Sequence, residues 1–519
     1  MSDHLSNDKI AALLKKHQIA NHSSSIDASS FQKITCLPAR VEKGSAFFCV
    51  PGETRDSAKP FEEAIRNGAS CIISEDGQTD FAEPEINIPH IKVANAREAF
   101  AEFASNLFAN PSKALRVIGV TGTNGKTTTT HLIEHIFTYA GRRIGLIGTL
   151  GYRLPENEIC DFGHTTPPAG ELQEVLGKMR DAKCTHVSLE VTSHALVFRR
   201  VGSCEFASAI LSNISQDHLD FHGTMENYWR TKLRLFQSLN DSSHSNKAAI
   251  INLDEELADH FSNACGESIT RISYGFSEKA DVHILTHHWR NGRNHVKISA
   301  RGEIFEFATL LPGRFNLYNL MSAIALCMHE GIPTKMIVDA VEQFQGVPGR
   351  FERVRGDKEQ EPLCIVDFAH SPDALEKVLG TLKEIQKDGE QTSSKLICVF
   401  GCAGESDGSK RGIMGSVAER LADKIILTNA GPGKEDPLKI IEDIKSGMKD
   451  LSKAKVELDR FKAIKEAIAS AGPNDAILIA GQGHYRFQHI GDKEVPIDDR
   501  VEARKALNEW SKRNEISTS

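Results

Sequence analysis

The sequence lacks the features that define several classes of protein. Its 519 residues contain no run of about 18 apolar residues, the length at which a helix can span a bilayer. The N-terminal stretch MSDHLSNDKIAALLKKHQ has no apolar core of the kind found in signal peptides. Its 11 cysteines are scattered without a CxxC pair or a metal-type Cys/His spacing, which favours reduced thiols. These absences predict a cytoplasmic protein without a disulfide framework.

A surplus of positive charge is also missing. The formal net charge is -8, so the basic excess typical of proteins that bind nucleic acids or anionic membranes is absent. With 40% hydrophobic and 25% charged residues, the composition is that of an ordinary globular protein. We therefore expect small-molecule partners, and neither a nucleic acid nor a membrane.

The chain is longer than one hydrophobic core usually supports, and its apolar runs divide it into three α/β units. The first ends at a break around Pro111. The second opens with LRVIGV, a glycine-rich turn and the helical pattern TTTTHLIEHIFTYAGRR, an order typical of a parallel, doubly wound sheet. The third contains four short β-rich runs, each followed by a helical pattern. The predicted boundaries are 1–112, 113–349 and 350–519.

The glycine-rich turn VTGTNGKTTTT, which begins at Val120, lies between a predicted strand and a predicted helix. Its glycines would let backbone N–H groups face phosphate oxygens at a helix N-terminus. Lys126 would reach the terminal phosphates, and the Thr127 hydroxyl would bind Mg²⁺. The spacing departs from GxxxxGK[ST], because Val120 stands where the first glycine would be. The residues predicted to bind ATP here are Gly122, Thr123, Asn124, Gly125, Lys126, Thr127 and Thr128.

Further motifs follow this loop in a fixed order along nearly the whole chain. They are SLEVTSHAL, SNISQDHLDFHGTMENYWRTK, GRFNLYNLMSA, GVPGRFE, DFAHSPDALE, GCAGESDGSKR, KEDP, DRFKAI and AGQGH. Together with the short GTNGKTT loop, this order resembles the Mur ligase family. The elements EVTSHAL, DHLDFHG and DFAHSPDAL are most similar to its tripeptide-forming branch.

The resemblance implies an α/β fold with the three-domain Mur ligase architecture. An N-terminal domain would bind the UDP-linked substrate, and a central doubly wound P-loop sheet would bind ATP. A Rossmann-like C-terminal domain would bind the amino acid. The implied enzyme is an ATP-dependent amide ligase of peptidoglycan biosynthesis. It would join a free amino acid, the third of the stem peptide, to UDP-N-acetylmuramoyl-L-alanyl-D-glutamate.

Amide formation explains why such a site needs phosphate-binding residues. A carboxylate attacked directly by an amine would have to expel oxide, so transfer of the ATP γ-phosphoryl group must first give an acyl phosphate. That transfer depends on positioning and charge neutralisation rather than on a protein nucleophile. The implied cofactors are ATP and Mg²⁺.

The resemblance assigns catalytic roles to Lys126, Glu190, His218 and Lys232. Thr127, Glu190 and His218 would serve Mg²⁺, although Mg²⁺ prefers oxygen to imidazole. Lys232 matches a position that is carbamylated in the family, where a CO₂-derived carbamate would supply negative charge to a second Mg²⁺. Taken alone, Lys232 would be interpreted as a solvated helix lysine.

Three further residues are assigned to ATP by the same resemblance. Asn316 would contact the adenine, Arg350 a phosphate and Asp367 the ribose. Arg350 lies at a predicted domain border, so it would reach phosphate only when the domains close. For Asp373, a role in starting a helix and a direct role in catalysis both stay open.

The resemblance also identifies substrate-binding positions. Thr165, Thr166, Thr192 and Arg200 match residues that hold the muramoyl peptide, whereas the family's DSR element for the uridine end reads Leu37-Pro38-Ala39.

The amino-acid pocket is expected to involve Ser406, Gly433, Gly481 and Tyr485. Ser406 and Gly433 stand where diaminopimelate enzymes carry arginines, and Tyr485 stands where they carry a glutamate. Because charged contacts in a closed site contribute strongly to selectivity, ordinary diaminopimelate recognition does not follow from the resemblance.

Two alternatives remain beside the tripeptide synthetase. One is a paralogue that ligates an amino acid to another carboxylate in a specialised pathway. The other is a catalytically silent nucleotide-binding protein that kept the fold.

Overall fold

The computed structural model describes residues 6–17, 31–51, 59–76, 87–155, 159–160, 163–357, 361–388 and 394–516. Three sheets in succession, each with helices on both faces, confirm the predicted α/β class. Within the described ranges, no helix combines the length and the apolar character needed to cross a bilayer.

The N-terminal unit is built on four parallel strands in the order β1-β2-β3-β4. The strands are β1 Ile34–Thr35, β2 Ala46–Cys49, β3 Cys71–Glu75 and β4 His90–Val93. The helices are α1 Asn7–His17, α2 Pro60–Arg66 and α3 Ala96–Leu107. Apolar residues of α1 and α3 pack on one face of the sheet, and those of α2 pack on the other.

The central unit contains a sheet of ten strands. They are β5 Arg116–Thr121, β6 Ile144–Gly148, β7 Gly151–Arg153, β8 His186–Glu190, β9 Phe206–Leu211, β10 Ala248–Asn252, β11 Thr270–Gly275, β12 Val282–Arg290, β13 Arg293–Ala300 and β14 Glu303–Thr309. Its helices are α4 Lys126–Tyr139, α5 Ala169–Asp181, α6 Ser193–Val197, α7 Leu219–His222, α8 Met225–Gln237, α9 Ala258–Asn263, α10 Arg314–His329 and α11 Thr334–Gln343.

The order of this sheet is β14-β13-β12-β11-β10-β9-β5-β8-β6-β7. Its centre is parallel, as predicted, but β7 and the β12–β14 meander are antiparallel. The predicted doubly wound arrangement is therefore confirmed at the centre of the sheet, and antiparallel strands extend both of its edges. Alternate β5 residues enter two cores, since Ile118 packs with α4 and α10 and Val117 packs with α5 and α8. This double winding places the loop after β5 at the carboxyl edge of the sheet, where ligands bind in such folds.

The C-terminal unit has a six-stranded sheet in the order β15-β16-β20-β17-β18-β19 and a separate hairpin, β21-β22. The strands are β15 Glu352–Val354, β16 Leu363–Asp367, β17 Leu396–Phe400, β18 Lys424–Leu427, β19 Ala454–Val456, β20 Ala476–Ala480, β21 Phe487–Ile490 and β22 Lys493–Pro496. The helices are α12 Pro372–Asp388, α13 Lys410–Leu421, α14 Pro437–Lys445, α15 Arg460–Ala469 and α16 Asp499–Ile516.

Four of these strands, β16, β17, β18 and β20, are the predicted ones, and all four are parallel. The edge strands β15 and β19 escaped prediction because three residues are too few to show a period. Helices α12–α14 cover one face and α15–α16 the other, as expected for a Rossmann-like unit. The domain limits at 112/113 and 349/350 stay predictions.

Candidate functional site

The predicted phosphate loop, residues 122–125, joins β5 to the first turn of α4. Gly122 and Gly125 have φ of +144° and +88°, a region that L side chains rarely adopt. A Cβ at Gly122 would collide with the Ser212 hydroxyl, and one at Gly125 would collide with the Asn319 side chain. Both glycines are therefore required by local geometry as well as by backbone conformation.

Side chains from the end of β9 and from α8 fix the loop in place. The backbone N–H of Asn124 donates to Oδ1 of Asn213 at 3.0 Å. The Thr123 hydroxyl donates to the Ser215 carbonyl and lies 3.1 Å from the Tyr228 hydroxyl. The loop is thus held from two sides before any ligand binds, which limits the reorganisation that binding requires.

Two lysines meet at one carbonyl of this loop. Nζ of Lys126 donates to the Gly122 and Thr123 carbonyls, and Nζ of Lys232 donates to the Gly122 carbonyl, all at 2.9 Å. Lys232 is 1% exposed and lies 4.5 Å from the centre of the Tyr228 ring. Burial, reinforced by the Lys126 charge, lowers the pKa of Lys232 well below its usual value. The structure therefore excludes the interpretation of Lys232 as a solvated lysine.

Glu190 lies at the centre of a hydrogen-bond network at the carboxyl end of β8. Its Oε2 accepts from the Thr127 hydroxyl at 2.9 Å and the Thr149 hydroxyl at 3.0 Å. Its Oε1 accepts from the Thr149 backbone N–H at 2.8 Å. Glu190 is fully buried, so these bonds fix the direction in which its carboxylate points.

The donor set at this point suits Mg²⁺. A hydroxyl and a carboxylate, from Thr127 and Glu190, are hard oxygen donors, and Mg²⁺ commonly takes one or two carboxylates together with substrate phosphates. In the described part of the chain, no three His, Cys, Asp or Glu side chains lie close enough together to hold a metal by themselves. Phosphate and water oxygens would therefore have to complete the coordination.

His218 lies beside different neighbours. It has φ of +53°, its Nε2 lies 3.5 Å from Asp217, and its ring meets the His194 ring edge-on at 4.8 Å. Burial lowers its pKa, and the Asp217 carboxylate opposes that shift. No hydrogen bond among the described residues joins it to Glu190 or Thr127. Its metal-binding role stays a prediction.

The four residues predicted to hold the muramoyl peptide form one chain of contacts that leads to Glu190. The Thr165 hydroxyl lies 3.2 Å from that of Thr149. The Thr166 hydroxyl donates to the Glu190 carbonyl at 2.7 Å. The amide N–H of Thr192 donates to the Thr166 hydroxyl, and Arg200 donates to the Thr166 carbonyl at 2.7 Å. The structure thus brings all four together.

A cleft between the central and C-terminal units gathers most of the residues predicted to bind ATP. Its walls include Asn124, Gly125, Thr128, Asn316, Arg350 and Asp367. The Asp367 carboxylate accepts backbone N–H bonds from Phe351 and Ala369 at 2.6 and 2.7 Å. Burial raises its pKa, against the Arg350 charge. Asp367 therefore fixes the backbone at Phe351, where the C-terminal unit begins, and at Ala369, and it also lines the cleft.

Arg350 crosses from the border of the C-terminal unit to the phosphate loop. Its Nη2 donates to the Thr127 hydroxyl at 3.3 Å, and its guanidinium lies 4.4 Å from the centre of the Phe368 ring. Its Nε is buried without a hydrogen-bond partner among the described residues. A buried cationic N–H of this kind suits an anionic ligand oxygen.

The residues predicted to line the amino-acid pocket lie in three loops of the C-terminal unit, residues 401–407, 429–437 and 481–486, which we call the acceptor loops. Gly481 packs against Gly401. Gly433 has φ of +59°, and a side chain there would collide with the Glu405 carboxylate. The Ser406 hydroxyl donates to the Ala403 carbonyl at 3.0 Å.

Tyr485 is 43% exposed, and its ring lies 5.5 Å from that of Phe368. Because Phe368 also packs against Arg350, this aromatic contact joins the acceptor loops to the ATP cleft.

Thr149 and Tyr228 are among the residues of the site that sequence reasoning missed. Thr149 gives two of the bonds that hold Glu190, and Tyr228 holds both Thr123 and Lys232. Thr149 directly follows β6, and the rule that sites form at the carboxyl ends of parallel strands could have identified it. Tyr228 is on a helix whose docking no local pattern reveals.

With this geometry established, comparisons with known proteins give the class. Residues 120–327 match the Mur ligase middle domain, and residues 349–483 match the Mur ligase glutamate ligase domain. The UDP-N-acetylmuramoyl-L-alanyl-D-glutamate--2,6-diaminopimelate ligase of Bacillus velezensis is 37% identical over 91% of this chain and 93% of its own length. The protein of the same name from Aquifex aeolicus is 39% identical over 90% of this chain and 91% of its own length.

Solved structures agree with these matches. A structure of a UDP-N-acetylmuramoyl-L-alanyl-D-glutamate--2,6-diaminopimelate ligase has a TM-score of 0.63 and 32% identity, covering 94% of this chain and 98% of that one. MurF ligase from Thermotoga maritima in complex with ADP has a TM-score of 0.61 at 17% identity, covering 94% and 100%, which supports the fold alone. The chain belongs to the Mur ligase family. It is an ATP-dependent ligase that uses ATP and Mg²⁺.

Proposed function

We propose that this ligase adds the third amino acid to UDP-N-acetylmuramoyl-L-alanyl-D-glutamate, a step of peptidoglycan synthesis carried out in the cytoplasm. The names of the relatives support the muramoyl dipeptide as the substrate whose carboxylate is activated, since each is named as a ligase of this dipeptide. Coverage of nine-tenths or more of both chains supports extending the proposal to all three units.

One observation carries the proposal: two lysines and the Thr127–Glu190 pair converge on the phosphate loop, beside the threonines proposed for the muramoyl peptide. Lys126 and Arg350 would neutralise the triphosphate, and Thr127 and Glu190 would hold Mg²⁺, which supplies further positive charge. When the triphosphate is held in this way, an oxygen of the substrate carboxylate takes the γ-phosphoryl group and ADP leaves. The amine nitrogen then attacks the acyl carbon, the C–O bond to phosphate breaks, the nitrogen gives up one proton, and inorganic phosphate leaves carrying that proton.

We also propose that Lys232 carries a carbamate. Only a neutral amine attacks CO₂, and the lowered pKa of the buried Lys232 favours that form. The reaction forms an N–C bond and releases one proton, so that an amine becomes an anion. The resulting carboxylate-like group would stand close to the phosphate loop, where a second Mg²⁺ needs negative charge.

The identity of the third amino acid is proposed from the acceptor loops. The relatives are named for 2,6-diaminopimelate. Here Ser406, Gly433 and Tyr485 offer neither the guanidinium groups nor the carboxylate that would pair with its distal amino-acid end, while the Glu405 carboxylate lies against Gly433. We therefore favour an amino acid whose distal end is smaller or less charged. The same departures favour, as a second candidate, a paralogue that uses another carboxylate.

Phosphate release by the purified protein tests these proposals. With ATP, Mg²⁺ and the UDP-muramoyl dipeptide, we expect release only when an amino acid from a panel is also present. Release that requires a different acid would support the paralogue. ATP binding without release under any combination would support the silent nucleotide-binding protein and contradict the proposal.

A further inference from the structure

Asp373, in the first turn of α12, lies across the border between two units. Its Oδ2 accepts from Nδ2 of Asn124 at 3.0 Å and from the Ser215 hydroxyl at 3.3 Å, both in the central unit. The same oxygen accepts from Nζ of Lys377, one turn further along α12, at 2.8 Å. One carboxylate oxygen of the C-terminal unit is thus bonded to the phosphate loop and to the segment that supports it.

A role in starting the helix does not account for this arrangement. The Ser371 hydroxyl accepts from the Ala374 N–H at 3.4 Å, and the Ser371 carbonyl accepts from the Leu375 N–H at 3.0 Å. The start of α12 is therefore bonded through Ser371. A carboxylate in the first turn of a helix interacts favourably with the helix dipole whichever way its side chain points. Its direction toward Asn124 calls for a separate explanation.

Asn124 of the phosphate loop is hydrogen-bonded to both units. Its backbone is bonded to the central unit, since its carbonyl accepts from the Ser212 hydroxyl at 2.6 Å and from the Asn213 side chain at 2.9 Å. Its side-chain amide is bonded to Asp373. The conformation of Asn124 therefore depends on where α12 lies.

The cleft itself has walls from both units. Asn124 and Gly125 line it from the central unit, and Ala374 and Lys377 line it from α12. Asp373 bonds one residue of each wall, Asn124 and Lys377. A charge-assisted hydrogen bond at this point would set the width of the cleft and the direction of the Lys377 ammonium.

We propose that Asp373 is a positioning residue that couples the docking of the C-terminal unit to the conformation of the phosphate loop, and so sets the affinity of the site for a nucleoside triphosphate. The inference rests on the proposed nucleotide site but not on which acid or amino acid is ligated. Asp373 touches neither reacting group; it acts through Asn124 and Ser215.

The test compares Asp373→Ala and Asp373→Asn with Glu376→Gln in the full-length protein. Glu376 lies one turn beyond Asp373 on α12. It is 51% exposed and paired with Arg420, so it is a matched carboxylate on the same helix. Binding of a non-hydrolysable ATP analogue is measured by calorimetry in the presence of Mg²⁺. We expect Kd to rise about tenfold in Asp373→Ala, less in Asp373→Asn, and to stay unchanged in Glu376→Gln.

Two further measurements separate positioning from simple structural support. In steady-state assays, KM for ATP should rise with Kd while kcat changes much less, whereas partial unfolding would lower kcat and leave KM unchanged. Ser215→Ala combined with Asp373→Ala should raise Kd by less than the product of the two single effects, because both act through one bond.

An Asp373→Ala protein with the wild-type Kd, or one that loses only thermal stability, would overturn the inference and leave the ligase proposal standing. Wild-type protein that fails to bind the analogue would overturn both.

Discussion

The phosphate loop and the acceptor loops differ in how tightly their side chains are held. Around the phosphate loop, Thr127, Glu190 and Lys232 are buried. Each makes a hydrogen bond to a residue that further hydrogen bonds hold in place. In the acceptor loops, Glu405 and Ser406 are exposed. Phosphoryl transfer depends on charges that are in place beforehand, whereas selection of an amino acid tolerates change in exposed loops. On the proposed function, the chemistry would thus be built into the central unit, and selection of the amino acid would be left to the C-terminal one.

The largest effect is expected at the phosphate loop. Lys126→Ala should lower the rate of ATP-dependent product formation by about 1000-fold or more, because the loop loses its mobile cation. Circular dichroism and thermal unfolding should match those of the wild type, since Lys126 bonds to loop carbonyls rather than to the core. Wild-type turnover in this variant would show that the loop is not the phosphate site.

The next effect concerns the buried lysine. Lys232→Ala should be nearly inactive, and short carboxylates added to the assay should partly restore turnover by standing in for the carbamate. Arg230→Ala, on the exposed face of the same helix, is the matched control and should behave as the wild type. Full activity of Lys232→Ala without any additive would show that no carbamate is needed.

A smaller loss should follow when Glu190 is freed to move. Thr149→Val removes the hydroxyl that donates to Glu190 but keeps the backbone N–H bond, so activity should fall about 10- to 100-fold, as when a partner of a metal ligand is lost. The Mg²⁺ concentration needed for half-maximal rate should rise in parallel. An unchanged Mg²⁺ dependence would contradict the role given to Glu190.

The acceptor loops should discriminate modestly against a charged distal end. Comparison of kcat/KM for meso-diaminopimelate, L-lysine, L-ornithine and small neutral amino acids should show no preference for meso-diaminopimelate. Each unpaired charge would cost roughly 1 to 3 kcal/mol on closure. A preference of tenfold or more for meso-diaminopimelate would refute the pocket argument without affecting the ligase assignment.

The smallest effect is expected at Ser406. Its hydroxyl is exposed and, within the described residues, bonds to the nearby Ala403 carbonyl alone, so Ser406→Ala should change the free energy of unfolding by less than about 0.5 kcal/mol. The amino-acid kcat/KM should change less than about threefold. A large loss with one amino acid would mean that the hydroxyl contacts it directly, and would remove the contrast between the two regions.

Much of the fold was predictable because it follows local patterns. Short apolar runs bounded by glycine or proline identified the central strands of all three sheets, and the turn between β5 and α4 identified the phosphate loop. The antiparallel edge strands β7 and β15 were not predictable, since each is three residues long. A period cannot be read from so few positions.

The residues of the candidate site likewise divide into those that the sequence predicts and those that it does not. Lys126 and Thr127 follow from chemistry and spacing, and Glu190 and Lys232 follow from resemblance alone. The bond between Asn124 and Asp373, and the hold of Thr149 on Glu190, could not be foreseen. Those pairs are 249 and 41 residues apart.

The sequence by itself determined the class of fold, the position of the phosphate loop and the residue types available for phosphoryl transfer, because each depends on neighbours within a few residues. Only the tertiary structure decided that two lysines share the Gly122 carbonyl and that Lys232 is buried, which lowers its pKa well below the usual value. Burial and charge proximity are properties of packed surfaces, and they change a pKa only after distant elements have come together.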